Sequence, residues 1–432
     1  MPDSPESDFV CGCVRRMRSA CAGEPCYQEH QGKRYCVLHF PGKEKSPAFK
    51  KVFQRKLENK DFNFAGVWFP DEVSFAKVEF GTKADFSLAT FTAAADFHFA
   101  KFGAAASFYS ATFTAAADFR FATFSAAANF VEASFSAAAD FNLVKFGATA
   151  SFSSATFSAA ADFGSVTFSA DAVFYKATFS KEANFSLAIF SVRANFNSAT
   201  LGDRVRFAGD KYRQPFPDTS ELYLRFIRIE TPDHISFHTL RLRPRWFVNV
   251  DARRFDFTNV EWDWRTVNEE IGGLQGHYVS SPHNLLFIAC QRLADNAEEN
   301  HRYEEASWFR YLAMEAKRLE HSAPWRLSWW YWLASGYGER ALRAFLVLIG
   351  VCAAFASLYL ITGHLRISDP KGLKEYAKAT VGAFNYSLQV MTLQRPDKPI
   401  GVLTPILNSL ETILGPVQAA LLALAIRRKF MR

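Results

Sequence analysis

The amino-acid sequence predicts a mostly β protein with a helical membrane end: a coiled β-solenoid, then a helical hairpin, then two apolar spans. Three observations predict it. Phenylalanine stands at 64, 75, 86, 97, 108, 119, 130, 141, 152, 163, 174, 185, 196 and 207 without a gap, and again at 69, 80, 91, 102, 113, 124, 135, 146, 157, 168, 179 and 190. Beyond residue 262 the repeat gives way to helical periodicity, and two long apolar runs, Ala344 to Thr362 and Ile400 to Ile426, close the chain. A strict eleven-residue period, split five plus six, marks a repeat architecture. Two residues before nearly every Phe stands Ala or Val, and only Leu201 breaks the second series.

The bulk numbers set the outer bounds. A chain of 432 residues with 49% hydrophobic content has room for two to four domains and is no disordered polymer. The two series hold 26 of the 45 Phe, so the aromatic excess belongs to the repeat. Net charge is +7, but residues 84–200 carry eight acidic and six basic side chains, and the positive charge lies in flanks such as Arg340, Arg343 and the terminal RRKFMR. A near-neutral rod does not satisfy a basic groove, so neither DNA mimicry nor a nucleic-acid partner is expected. Met1 to Arg18 is polar, which predicts a cytosolic N-terminus without a secretory signal. Seven cysteines, five of them before residue 40, would then be reduced and available to a metal. No Ser/His/Asp set, paired carboxylates or phosphate loop appears, so no enzyme activity is expected.

Residues 1–45 read as a small Cys/His segment. Cys21, Cys26, Cys36 and His39 have the spacing C-x4-C-x9-C-x2-H, and three thiolates with one imidazole form a structural tetrahedral zinc set. Cys11, Cys13 and His30 are alternative ligands. So short a segment has little core, and a metal would supply folding energy. From Ser46 to Lys60 a basic amphipathic stretch opens with Ser-Pro and predicts a helix that caps the repeat.

The repeat cannot be helical. Five residues advance roughly 140° round an α-helix beyond one full turn, which separates the two Phe series widely. A single flat strand also fails, because residues five apart point to opposite faces. A coil that turns a corner every five or six residues brings one Phe inward per side, and the second inward residue must then be small.

The units ADFSLATFTAA resemble the pentapeptide-repeat family, in which a small residue, a polar residue and a central Leu or Phe recur. The resemblance covers Phe64 to about Phe207, with a degenerate continuation through ISFHTLRLRPRWFVNVDARRFDFTNVEW, so the solenoid is expected over 46–262 with its helical cap. It implies a right-handed, four-sided β-solenoid. The extra residue in every second unit departs from the family and predicts a bulge at alternate corners. One coil then takes two of the eleven-residue periods, about 22 residues, with Phe86 stacked on Phe108 rather than on Phe97.

Residues 263–323 read as a linker, NEEIGGLQGHYVSSP, and a helical hairpin. Leu285, Leu286, Ile288, Ala289 and Leu293 form one apolar face, and Ala306, Phe309, Leu312, Ala313, Ala316 and Leu319 the other, with Trp308 and Tyr311 at the seam. Residues 324–432 read as an interfacial helix rich in Trp325, Trp329, Trp330, Tyr331 and Trp332, then two spans. Arginines before the first span and after the second predict both termini in the cytosol and a multi-pass protein of the plasma (inner) membrane. Asn408 and Glu411 lie inside the second span; an intramembrane Glu needs shelter, and oligomerisation would supply it.

Between the spans, VGAFNYSLQVMTLQRPDKP resembles the pore region of two-span, potassium-channel-like proteins. The resemblance implies an oligomer, a tetramer in that family. Thr392, Leu393 and Asp397 match its T-x-G-Y-G-D filter, whereas Gln394, Arg395 and Pro396 replace Gly, Tyr and Gly. Those glycines let backbone carbonyls face the ion, so potassium selectivity is not expected. The expectation is a cytosolic sensor or binding rod coupled to an oligomeric channel-like domain; the alternative is a membrane-anchored scaffold whose solenoid binds a cytosolic protein.

Overall fold

The computed structural model describes residues 9–13, 15–21, 23–275, 281–320, 323, 326–362, 373–394 and 403–430. The chain divides into two compact units, Met1–Arg265 and Thr266–Arg432.

The first unit begins with a 3-10 turn over Arg15–Cys21 and an antiparallel hairpin, β1 (Cys26–His30) and β2 (Lys33–Cys36). Helix α1 (Ser46–Glu58) follows, opened by Pro47, which lacks the N–H that a first helical turn cannot use. Its Phe49 and Phe53 rings lie edge-on to Phe69, 5.6 and 6.1 Å away, and Phe53 is 5.4 Å from Phe75. The helix therefore covers the open end of the aromatic interior, as a solenoid requires.

The solenoid itself is built of strands mostly two residues long, arranged in four parallel sheets of seven, eight, nine and six strands. Partners lie two eleven-residue periods apart: Ala84 pairs with Ala106, Phe91 with Phe113 and Phe80 with Phe102. Side chains follow the same rule, as where the Ser74 hydroxyl donates to Asp96 Oδ2, 22 residues on, at 2.8 Å. Phe86 stacks on Phe108 with ring centroids 4.8 Å apart and planes at 5°, but meets Phe97 edge-to-face at 5.4 Å and 90°. Two periods thus make one coil, and the ring spacing matches the roughly 4.8 Å between hydrogen-bonded strands. Because the ladder fixes that spacing, an inward Phe in the middle of the stack, such as Phe108, finds a parallel neighbour above and below. Ala84 and Ala89, inward beside Phe86 and Phe91, are fully buried.

Two kinds of corner alternate. At the five-residue corner the Ala89 N–H donates to the Phe86 carbonyl at 3.1 Å, and Leu88 holds φ 59°. The same left-handed conformation recurs every eleven residues at Phe99, Ser110, Phe121, Glu132 and Leu143, none of them glycine. Each costs roughly 1–2 kcal/mol, offset by ladder bonds such as Leu88 N–H to the Tyr109 carbonyl at 2.7 Å. The extra residue of the longer unit falls at the other corner. At the entry to the left-handed corner Asp96, Asp118, Asp140 and Asp162 each accept the N–H two residues on, at 2.8–2.9 Å, which accounts for the recurring Ala-Asp-Phe. The ladder continues through Phe207, Phe237 and Phe257, with Trp262 against Phe247 and Phe257 at its end.

The second unit opens with α2 (Val267–Gln275), where the glycines had pointed to a linker. Thr266 and Glu269 form a reciprocal cap, the Thr266 N–H on Glu269 Oε2 at 2.8 Å and the Glu269 N–H on Thr266 Oγ1 at 3.4 Å. Val267, Ile271 and Leu274 are buried on one face, enough to hold a helix despite Gly272 and Gly273. The hairpin is α3 (Pro282–Glu299) and α4 (Tyr303–Glu320), with Leu286, Ala289 and Leu293 buried on the first and Ala306, Phe309, Leu312, Ala313 and Ala316 on the second. Tyr311 reaches beyond the hairpin: it accepts the Trp332 indole N–H at 3.4 Å, and Arg340 lies over its ring at 4.3 Å.

Helix α5 (Leu327–Ser335) leads to α6 (Ala341–Ile361), α7 (Leu373–Met391) and α8 (Thr404–Phe430). Both α6 and α8 are long and apolar enough to cross a membrane, yet only 28% and 22% of their apolar windows are buried. Leu342, Leu346, Ile349, Ile406, Leu410, Ile413 and Val417 face outward, whereas Ser387, Glu411 and Gln418 are buried. Polar inside and apolar outside is the reverse of a soluble bundle and suits a hydrocarbon surrounding.

Candidate metal centre and buried polar cluster

In the first unit Cys11, Cys21, Cys36 and His39 converge, their ligand atoms all within 4.8 Å of one another and all four side chains buried. Cys11 Sγ is 3.8 Å from Cys36 Sγ and 3.8 Å from His39 Nδ1, and Cys36 Sγ is 3.1 Å from His39 Nδ1. Tetrahedral zinc with bonds of about 2.3 Å to sulfur needs sulfurs about 3.8 Å apart. The turn that carries Cys36 and His39 is closed by the His39 and Phe40 N–H groups on the Cys36 carbonyl, at 3.1 and 3.0 Å. His39 Nε2 lies 2.9 Å from the Ala65 carbonyl, which can only accept, so that nitrogen keeps its proton and Nδ1 is the ring atom turned toward the thiols. This group could bind a metal ion.

Three of the expected ligands meet here, and the fourth is Cys11 where the spacing pointed to Cys26. Cys26 opens β1 opposite Cys36, at a bulge between Cys26 and Gln28, and stays outside the group. Cys11 reaches it because the Gly12 N–H donates to the Arg34 carbonyl at 2.7 Å, laying that segment along β2. A Cβ on Gly12 would stand 2.8 Å from Lys33 Cβ, so only glycine permits the approach. Cys13 and His30 are half-buried and also outside the four.

The thiols favour positive charge beside them, and burial opposes it. Burial works against a charged His39, but hydrogen bonds with Cys11, Cys13 and Cys36 outweigh it and push its pKa up to about 12. Lys45 is fully buried and donates to the Leu38 carbonyl at 2.8 Å. Burial draws its pKa down to about 7 against the opposing pull of Cys36 and Cys11. Three thiolates and a dication carry one net negative charge, which an ammonium nearby would balance.

The second unit holds the polar cluster. Glu411 is fully buried, with Tyr359 OH 2.6 Å from Oε2 and the Ser387 hydroxyl on Oε1. Tyr359 OH is also 2.8 Å from Asn408 Oδ1, the Asn408 amide donates to Tyr386 OH at 3.0 Å, and Ser387 lies 3.0 Å from the Cys352 carbonyl. Gln418 bridges the Ala334 and Ala344 carbonyls at 2.8 Å each. The shelter for Glu411 thus comes from α6 and α7 of its own chain, which removes the reason for invoking oligomerisation on its account.

Paired residues give the depth of α7. Tyr386, Ser387 and Met391 meet Asn408, Glu411 and Gly415 in that order, so α7 and α8 run the same way. Gln418 with Ala344, and Glu411 with Tyr359, set α6 antiparallel to α8. Helix α7 therefore enters from the end where α8 begins and stops beside Gly415, eleven residues into it. A Cβ there would be 2.9 Å from Met391 Cβ, so the close approach needs glycine. Arg428 donates to the Tyr337 carbonyl at 3.1 Å and pairs with Glu339 at 2.9 Å, which brings the arginine-rich ends of α6 and α8 to one side. Of the filter-like residues, Thr392 and Gln394 are exposed at the C-terminal end of α7, with Thr392 Oγ1 donating to the Leu388 carbonyl at 2.9 Å. Arg395 and Asp397 lie outside the described residues, as does Trp325.

No family model matches the chain, and no curated protein or solved structure matches it.

Proposed function

We propose that this chain is a membrane protein in which a metal-capped solenoid rod is joined to an oligomeric two-span domain that passes ions or controls their passage. The observation that carries this reading is α7, which enters the bundle alongside α8 and ends at mid-depth beside Gly415. A helix that stops inside a membrane aims its partial negative end at the interior, as pore helices do. With Gln394, Arg395 and Pro396 in place of filter glycines and tyrosine, the domain is not potassium-selective. Arginines gathered at one end of α6 and α8 favour the cytosolic side of the plasma or inner membrane for both termini. Zinc is the metal that fits three thiolates and one imidazole, in a structural role.

The experiment is ion flux in liposomes carrying the purified full-length protein, with crosslinking in the same vesicles. Flux of small ions through an oligomer, altered by Arg395→Ala, is expected. A silent monomer would overturn the channel reading and leave the scaffold. The scaffold has one observation of its own: Phe99 and Phe121 stack at 4.7 Å on the outside of the solenoid, about two-fifths exposed, with Leu143 next along the same corner. Such an exposed apolar column suits a protein partner.

A further inference from the structure

We infer that Glu411 is a proton-binding site inside the helical bundle, with its carboxyl neutral at pH 7 and the proton shared into a chain through Tyr359, Asn408 and Tyr386. Counting protons leads there. Three contacts lie in a row: Glu411 Oε2 to Tyr359 OH at 2.6 Å, Tyr359 OH to Asn408 Oδ1 at 2.8 Å, and Asn408 Nδ2 to Tyr386 OH at 3.0 Å. An ionised carboxylate and an amide oxygen only accept, and a phenol has one proton to give. With Glu411 ionised, the single Tyr359 proton faces two acceptors and one contact has none. With Glu411 protonated, its O–H donates to Tyr359, Tyr359 to Asn408, and Asn408 to Tyr386, so each contact holds one proton. Ser387 has one proton for Oε1 and the Cys352 carbonyl whether the acid is charged or neutral, so it does not decide between the two states.

The surroundings point the same way. From α6 the groups near the carboxyl are Tyr359 and, through Ser387, the Cys352 carbonyl and thiol; from α7 they are Ser387 and Tyr386; from α8 itself, Asn408. None of these is a base that could neutralise a carboxylate. The carboxyl is fully buried in a helix whose outward side chains are apolar, where a lone charge is costly and a neutral acid is not. An ionised Glu411 would require the Asn408 amide turned end for end, with two hydroxyls as the donors to a charge at that depth.

The bound proton has a structural consequence. Glu411 ties α8 to α6 through Tyr359 and to α7 through Ser387, so the neutral acid is the joint at which the three helices meet. Glutamine reproduces it: its amide oxygen accepts from Ser387 and its NH2 donates to Tyr359.

Infrared difference spectra of the full-length protein in detergent, wild type minus Glu411→Gln at pH 7, test the inference. A protonated-carboxyl carbonyl band that shifts in heavy water and is lost in the variant is expected. Loss of carboxylate bands instead would overturn the proposal. Tyr359→Phe provides the second arm, since it removes the acceptor of the acid proton without touching the acid. The band should move to the higher frequency of a weakly bonded carboxyl, whereas an unchanged band would exclude the Tyr359 contact and with it the chain. In the same preparations Glu411→Gln should melt at the wild-type temperature, and a large loss would mean that the site requires a carboxylate.

Discussion

Replacing Phe119 by Ala should open the solenoid locally, and replacing Phe121, two residues on, should not. Phe119 is fully buried, stacked on Phe97 and Phe141 at 4.7 and 4.8 Å and edge-on to Phe108 and Phe130 at 5.5 and 5.6 Å. Removing a buried ring costs about 3–5 kcal/mol, more where the site cannot collapse. Here collapse is blocked, because the strand ladder holds the coils on either side at a fixed spacing; the upper half of that range is expected. Phe121 is 40% exposed and keeps one stacking partner, Phe99 at 4.7 Å. Its loss should be about 0.5–1.5 kcal/mol. Hydrogen exchange of the full chain resolves the two, since about 1.4 kcal/mol corresponds to a tenfold change in an opening equilibrium. Phe119→Ala should speed exchange by at least about two decades in the coils from Phe97 to Phe141, with the effect fading beyond the nearest coils, as expected of a one-dimensional stack. Equal effects from the two substitutions, or a change for Phe119→Ala below about 1 kcal/mol, well under the range for a buried ring, would refute the interior aromatic ladder as the source of stability.

Three further outcomes follow from the metal centre and the membrane face. Metal content of the purified protein should fall to background in Cys11→Ser and stay at the wild-type level in Cys26→Ser, because Cys11 rather than Cys26 joins Cys21, Cys36 and His39. Lys45 has a folded pKa of about 7 because of burial, so the unfolded chain binds more protons between pH 7 and the ordinary lysine range. Stability therefore rises with pH across that window, and melting temperatures of Lys45→Met should lose that part of the rise relative to wild type. Ile413→Arg places a charge on the outward face of α8, at a residue 64% exposed. In lipid that costs about 2.5–3.5 kcal/mol and should reduce the membrane-bound fraction after alkaline extraction, whereas in water it would be harmless.

The eleven-residue Phe period was enough to predict the two-period coil and the inward Ala beside each Phe, because both depend on local spacing repeated many times, and Ser46-Pro47 marked the start of the capping helix. The left-handed corners at Leu88, Phe99 and Phe121 had no such signal: no glycine marks them, and neighbouring coils hold them in place. Helix α2 was hidden by Gly272 and Gly273, which local propensity disfavours and the burial of Val267, Ile271 and Leu274 overrides. The metal group shows the same division. Cys36 and His39, three residues apart, share one turn and were legible together, whereas Cys11 against Cys26 was decided by Gly12 lying along β2, an approach between residues more than twenty positions apart.

For the membrane end, the sequence by itself determined two apolar spans and a costly Glu411 within the second. Only the tertiary structure decided what shelters it: α7 stops at the depth of Gly415 and presents Ser387, while α6 presents Tyr359. Apolar runs announce themselves because hydrophobicity adds up along the chain. Polar partners across three helices do not, because their pairing depends on where each helix starts and how deep it reaches, which packing alone fixes.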